Sequence, residues 1–171
     1  MRFTCSTCGE VHHGLPDVSF DAPIYYYQIP KDDRERLATL SSDLCVIENR
    51  DFFVRGVLEI PIRGTAEAFG WGVWASLSQK HFERYVEIFE ADPPPSGEGP
   101  WFGWLSNRLP NYPDTLNLKT RVHLLSGRRR PFIELEPTDH PLAVHQRAGI
   151  EMEALLKIID EHLHPGGRNN N

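Results

Sequence analysis

The chain has 171 residues, enough for one domain with a buried core, and its 24 acidic against 18 basic residues leave a formal charge of −6. That balance disfavours nucleic acid as a partner, because phosphates would be repelled, and no apolar stretch approaches bilayer length, so no membrane span is expected. Three cysteines give no disulfide framework and fit a reducing cytoplasm, and no basic segment followed by an apolar run opens the chain, so no secretory signal is expected.

Residues 1–16 form a Cys/His head, MRFTCSTCGEVHHGLP. Cys5-x-x-Cys8 followed by Gly9 has the form of a zinc knuckle: one turn presents two thiolates to an ion, and the glycine lets backbone amides point at the sulfurs. A structural zinc takes four ligands. His12 follows Cys8 by four residues and Cys45 stands just before the most regular strand of the chain, so Cys5, Cys8, His12 and Cys45 make a Cys3His shell for one structural zinc ion. His13 is an alternative to His12, and Asp43 to Cys45. A closed shell leaves no open position for substrate, which argues against a zinc enzyme. Two blander readings stand beside it: a redox CxxC needs a helix start after a strand, which is not apparent here, and Cys45 in an apolar strand also reads as a small core residue.

Phe20 to Pro30, with Tyr25, Tyr26 and Tyr27 in a row, reads as an extended segment across the core. Lys31 to Leu40 reads as a short polar helix with Leu37 and Leu40 inward, and Leu44 to Glu48 as a brief strand. Phe52 to Ile62 alternates Val54, Gly56, Leu58, Ile60 and Ile62 against Phe53, Arg55, Val57, Glu59 and Pro61, the signature of a strand. Ala68 to Ser78 answers it with Phe69, Trp71, Val73, Ala75 and Leu77 on one face, and Arg63-Gly64-Thr65 supplies the turn. The second arm's other face carries Gly70, Gly72 and Ser76, room for a second backbone or a ligand. Trp74 shares that face, so it needs a cover or belongs to a binding surface.

Ser78 is placed to cap a helix carrying Phe82, Tyr85, Val86 and Phe89 at helical spacing. Ala91 to Pro100 is a proline-broken loop, and Trp101 to Pro113 reads as an irregular aromatic lid. Leu116 to Leu125 and Pro131 to Glu136 alternate and form a second hairpin about Ser126-Gly127. Arg128, Arg129 and Arg130 sit at that turn, where a solvated turn is the simpler account than a phosphate clamp. Pro141 to Leu163 reads as helix, interrupted at Gly149, with Met152, Leu155, Leu156, Ile159 and Leu163 inward, and residues 164–171 as a disordered tail.

Chemistry outside the head centres on PTDHPLAVHQRAG, where Asp139 beside His140 can orient an imidazole for acid–base work, with Gln146 nearby. Asp139 or Thr138 is equally what a helix cap looks like. Trp71, Trp74, Trp101, Trp104 and Tyr112 could line a stacking pocket, although in a small domain such rings are usually core.

The runs FTCSTCGEVHHGLP, SDLCVI, FFVRGVLEIPI, FGWGVWASLS, PDTLNLKT and RPFIELEPTDHPLAVHQRAGI, taken together, resemble a family of small bacterial proteins classed as a domain of unknown function. The resemblance covers almost the whole chain and implies a bacterial cytosolic protein. It places the family's Cys-Gly-x-x-His pattern on Cys8, Gly9 and His12, which favours His12 over His13.

The expected architecture is therefore α+β: a single domain over 1–171, mostly antiparallel sheet with flanking helices and a zinc-knuckle-like head. The expected function is a non-catalytic, zinc-stabilised binding or regulatory domain of the cytoplasm with a possible protein partner. A hydrolase-like or transferase-like enzyme using Asp139 and His140 in a cleft beside Trp74 and Trp101 is the second expectation, and a toxin-neutralising protein with an acidic binding surface the third.

Overall fold

The computed structural model describes residues 2–4, 11–13 and 18–163, with side chains described from 18 to 159. Two short strands, β1 (Arg2–Thr4) and β2 (Val11–His13), pair antiparallel as a separate ribbon. The remaining strands form one sheet: β3 (Val18–Ser19), β4 (Ala38–Leu40), β5 (Leu44–Ile47), β6 (Asp51–Pro61), β7 (Ala68–Leu77), β8 (Trp101–Leu105), β9 (Lys119–His123) and β10 (Phe132–Leu135). Helices α1 (Ile24–Gln28), α2 (Arg34–Leu37), α3 (Gln79–Ile88), α4 (Pro141–Ala148) and α5 (Met152–Leu163) complete an α+β fold.

The centre is the β6–β7 hairpin, in antiparallel register from Phe52↔Leu77 to Pro61↔Ala68, with Gly64 in the turn at φ +74°. Each arm is longer than any partner on its outer edge, so each edge is shared. β6 pairs with β5 over Asp51–Val54 and, farther along, with β10 in parallel at Val57↔Phe132. β7 pairs with β3 in parallel at Trp71 and Gly72, then with β8 at Ala75 and Ser76. Antiparallel β8–β9 and β9–β10 pairings complete the circuit, so β6, β7, β8, β9 and β10 close into a five-stranded barrel, which abolishes the free edges of those strands.

Alternation decides which side chains fill it. Val54, Leu58, Ile60, Phe69, Trp71, Val73, Ala75 and Leu77 are buried in one cluster with Val122 and Ile133. Capped by the Ser78 side chain, α3 adds Phe82, Tyr85 and Ile88, whereas Val86 faces outward. The expected break at Gly149 separates α4 from α5, and Gly149 has φ +79°. Met152 and Leu155 on α5 pack on the same core, with Ile158 and Ile159.

The hairpin's outer face is covered separately. Phe53 and Trp74 are buried with Ile29, Cys45 and Ile47, and Tyr25 stacks on Phe53 at a centroid distance of 5.6 Å. The Trp74 indole donates to the Phe20 carbonyl at 2.9 Å, so the segment before α1 lies across it. Room for a second backbone is used at Gly72, where a Cβ would come within 2.5 Å of the Ser19 Cβ.

Three local expectations are corrected. The tyrosine run is not extended: Pro23 and Pro30 bracket a short helix, with the Tyr26 amide bonded back to the Pro23 carbonyl at 3.0 Å. The polar helix ends at Leu37, and Ala38–Leu40 leaves it to pair with β5, which turns Leu40 outward to 36% exposure. Trp101–Leu105 is a barrel strand, not a lid. It alternates Trp101, Gly103 and Leu105 inward against Phe102 and Trp104 outward. The glycine that suggested irregularity is what admits the strand, since a Cβ at Gly103 would overlap the Ser76 carbonyl.

Candidate functional site

Of the four residues assigned to zinc, Cys5 and Cys8 lie outside the described residues, and His12 is described only through its backbone in β2. Cys45 lies in β5, fully buried beside Ile29, Ile47, Phe53 and Trp74, where burial pushes its thiol up to about 12. Among the described residues its packed neighbours are apolar. The alternative ligand Asp43 accepts from Ser42 at 2.5 Å and from Arg130 Nε at 2.6 Å. Burial raises its carboxyl, but these bonds and the Arg130 and Arg55 charges outweigh it and hold the group below its ordinary value. Among the described residues no group of three or more His, Cys, Asp or Glu could hold a metal ion.

The Asp139–His140 segment folds into the start of α4. His140 is the N-cap: its Nδ1 accepts from the Leu142 amide at 3.2 Å, and Thr138 Oγ1 accepts from the His140 amide at 3.3 Å. An imidazole nitrogen that accepts carries a lone pair, so the proton of the neutral ring sits on Nε2. That Nε2 is shielded from solvent and has no partner among the described residues. The ring therefore caps the helix through Nδ1. Asp139 is exposed, and Gln146 bridges to β10 by accepting from the Leu135 amide and donating to the Ile133 carbonyl, each at 2.8 Å. Nearby, Tyr112 Oη lies 3.0 Å from His145 Nδ1. Burial raises the Tyr112 phenol to about 12 and, with the Arg63 charge, lowers His145.

The aromatic set disperses. Trp71 is in the barrel core and Trp74 under the outer cover, while Trp101 stacks on His81 at 5.2 Å. Trp104, 40% exposed, meets Phe102 edge-on at 4.9 Å on the barrel's outside. Asp139, His140, Trp74 and Trp101 line none of the described clefts together.

A cleft opens instead at the fork in β6, where the strand leaves β5 and takes up β10. Its volume is about 510 Å³. Val57, Phe89, Leu125 and Phe132 give it apolar walls, with Asp43 and Glu59 at the rim. Arg128, Arg129 and Arg130 enter from the β9–β10 turn, which is fixed by Gly127 at φ +77° and by a 2.8 Å bond from its amide to Asp92. Gly56 lets the fork close, since a Cβ there would stand 2.7 Å from the Pro131 carbonyl. Two of the arginines are ion-paired, Arg130 to Asp43 at 2.6 Å and Arg128 to Glu90 at 2.9 Å. Arg129 donates its Nε to the Ser126 carbonyl at 2.9 Å, and its terminal amino groups have no protein partner among the described residues.

With barrel and cleft in place, residues 4–150 match the model of a family described as an uncharacterized protein conserved in bacteria, DUF2199. The chain belongs to this family. The DUF2199 match takes in the head, the whole barrel, the arginine turn and α4, and stops where α5 begins. No curated protein and no solved structure matches the chain. Sequence reasoning passed over the cleft because its members come from five separate segments, from Asp43 before β5 to Phe132 in β10. The triple arginine was its one visible signal, and only the fold shows that the turn closes on apolar walls.

Proposed function

We propose that this DUF2199 chain is a non-catalytic binding domain, with a head held by a four-coordinate structural zinc on Cys5, Cys8 and His12, the fourth place taken by His13. The observation that carries the binding reading is the open cleft at the β6 fork, which joins arginines to apolar walls, while His140 caps α4. That cleft presents guanidinium groups and apolar walls, groups suited to recognition. The packing around Cys45 favours a core role for this residue over the fourth place on the ion. Thiolates on a CxxC turn supply the chemistry of a structural site, and the ion would contribute folding energy to a segment with little core of its own.

Two measurements test this. Elemental analysis of protein purified without added metal is expected to give zinc near about one equivalent, lost in Cys5→Ser. Absence of zinc from the unmodified chain would remove the metal part. For the binding part, His140→Ala is expected to lower thermal stability while His140→Asn restores it, because asparagine caps and cannot act as a base. An activity lost in both variants, with stability kept in the asparagine form, would overturn the non-catalytic reading. Among the described residues no helix is long and apolar enough to cross a membrane.

A further inference from the structure

We propose that the cleft at the β6 fork binds a small organic anion, a carboxylate or phosphate on an apolar body, with Arg129 as the anion's ligand. The inference rests on the binding reading above and gives that site its ligand class.

Charge within the cleft is uneven. Asp43 neutralises Arg130 and Glu90 neutralises Arg128, so each of these guanidinium groups already has a carboxylate. Arg129 has none; it is anchored through Nε to a backbone carbonyl, which leaves its two terminal amino groups to make the paired bonds a carboxylate or phosphate accepts. The anchor matters, because a guanidinium fixed before binding loses less freedom on binding.

The walls make this more than a solvated turn. Val57, Phe89, Leu125 and Phe132 are apolar, and a volume of about 510 Å³ lies within the range of small-molecule sites, so a ligand would bring an apolar body as well as a charge. A bare inorganic anion would leave those walls wet.

A second observation comes from α3. Tyr85 is only 2% exposed, and its hydroxyl has no partner among the described residues. It lines a narrow recess that shares Phe89, Leu125 and Arg129 with the cleft. Its phenol lies within electrostatic reach of Asp43 and Arg130, both on the cleft. A buried hydroxyl left unpaired costs free energy, which a ligand oxygen reaching into the recess would recover.

The test is calorimetric titration of the full chain with phenyl phosphate and with benzoate at low salt, with inorganic phosphate as the anion lacking an apolar body. Saturable binding of at least one organic probe is expected, weakened about tenfold or more by Arg129→Ala, an exposed change that leaves the barrel intact. Phe132→Ala is expected to weaken the organic probe but not inorganic phosphate. Tyr85→Phe is expected to weaken binding while leaving the melting temperature of the free protein unchanged or higher, since it removes an unpaired hydroxyl. Failure of both organic probes to bind at millimolar concentration overturns the proposal, as does binding that Arg129→Ala leaves unchanged. Phenol release assayed in the same samples separates the two readings. Binding without release supports both, whereas release abolished by Arg129→Ala keeps the cleft and overturns the non-catalytic reading.

Discussion

The two faces of the β6–β7 hairpin are buried by different means. The inner face is closed by the barrel itself: β8, β9 and β10 follow in chain order, and α3, α4 and α5 seal the core. The outer face is closed by a patch of unrelated pieces, the segment from Phe20 through α1 together with the β4–β5 hairpin, meeting on Phe53, Trp74 and Cys45. A face built by successive strands has its cover written into the same alternation. A face covered from elsewhere depends on contacts between distant segments, such as the Asn107 side chain, which accepts from the Trp74 amide at 2.7 Å and donates to the Ala22 carbonyl at 3.0 Å.

If the outer patch is true core, Trp74→Ala should cost about 3–5 kcal/mol, as much as Trp71→Ala on the inner face. Urea unfolding of the two variants checks this, and a loss below about 1 kcal/mol for Trp74→Ala would reduce the patch to a loose cover. Cys45→Ser sharpens the point, since the side chains of Ile29, Ile47 and Phe53 offer a buried hydroxyl no hydrogen bond. A loss of about 1–3 kcal/mol is expected, read by the same unfolding curves. On the inner side, His140→Ala should cost about 1 kcal/mol through loss of the α4 cap, visible as a lower melting temperature.

The smallest effect concerns the ion pair joining the two sides, Asp43 on the β4–β5 hairpin to Arg130 at the barrel. Both side chains are partly exposed, so Asp43→Asn should cost no more than about 1 kcal/mol. The sign follows from the lowered folded-state pKa. Ionised Asp43 contributes stability above the ordinary aspartate pKa of about 3.9, and that contribution disappears as the pH falls through the lower folded value. The wild-type advantage over Asp43→Asn in thermal melts should therefore vanish in strong acid and persist at neutral pH.

The inner face was legible because a period of two is a local signal: every residue from Val54 to Ile62 and from Phe69 to Leu77 that alternation placed inward is buried, Gly56 included. The Ser78 cap and the break at Gly149 were legible for the same reason, as each is decided within a few residues. Strand β8 was not. Trp101, Gly103 and Leu105 alternate as well, but Gly103 and the prolines flanking the run suggested a lid, and only the approach of the Ser76 carbonyl explains the glycine. Barrel closure and the fork cleft were equally hidden, because both depend on β6 sharing one edge between β5 and β10. At α4 the sequence offered Thr138 or Asp139 as the cap. The structure uses His140, one position later.

Cys45 packs in the outer core, and we propose that a zinc ion in the head does not need it. Zinc content measured on Cys45→Ala, beside the unmodified chain and Cys5→Ser, tests it. The prediction is about one equivalent retained in Cys45→Ala and none in Cys5→Ser. Loss of zinc from a Cys45→Ala protein that remains folded would contradict it, placing this thiol on the ion.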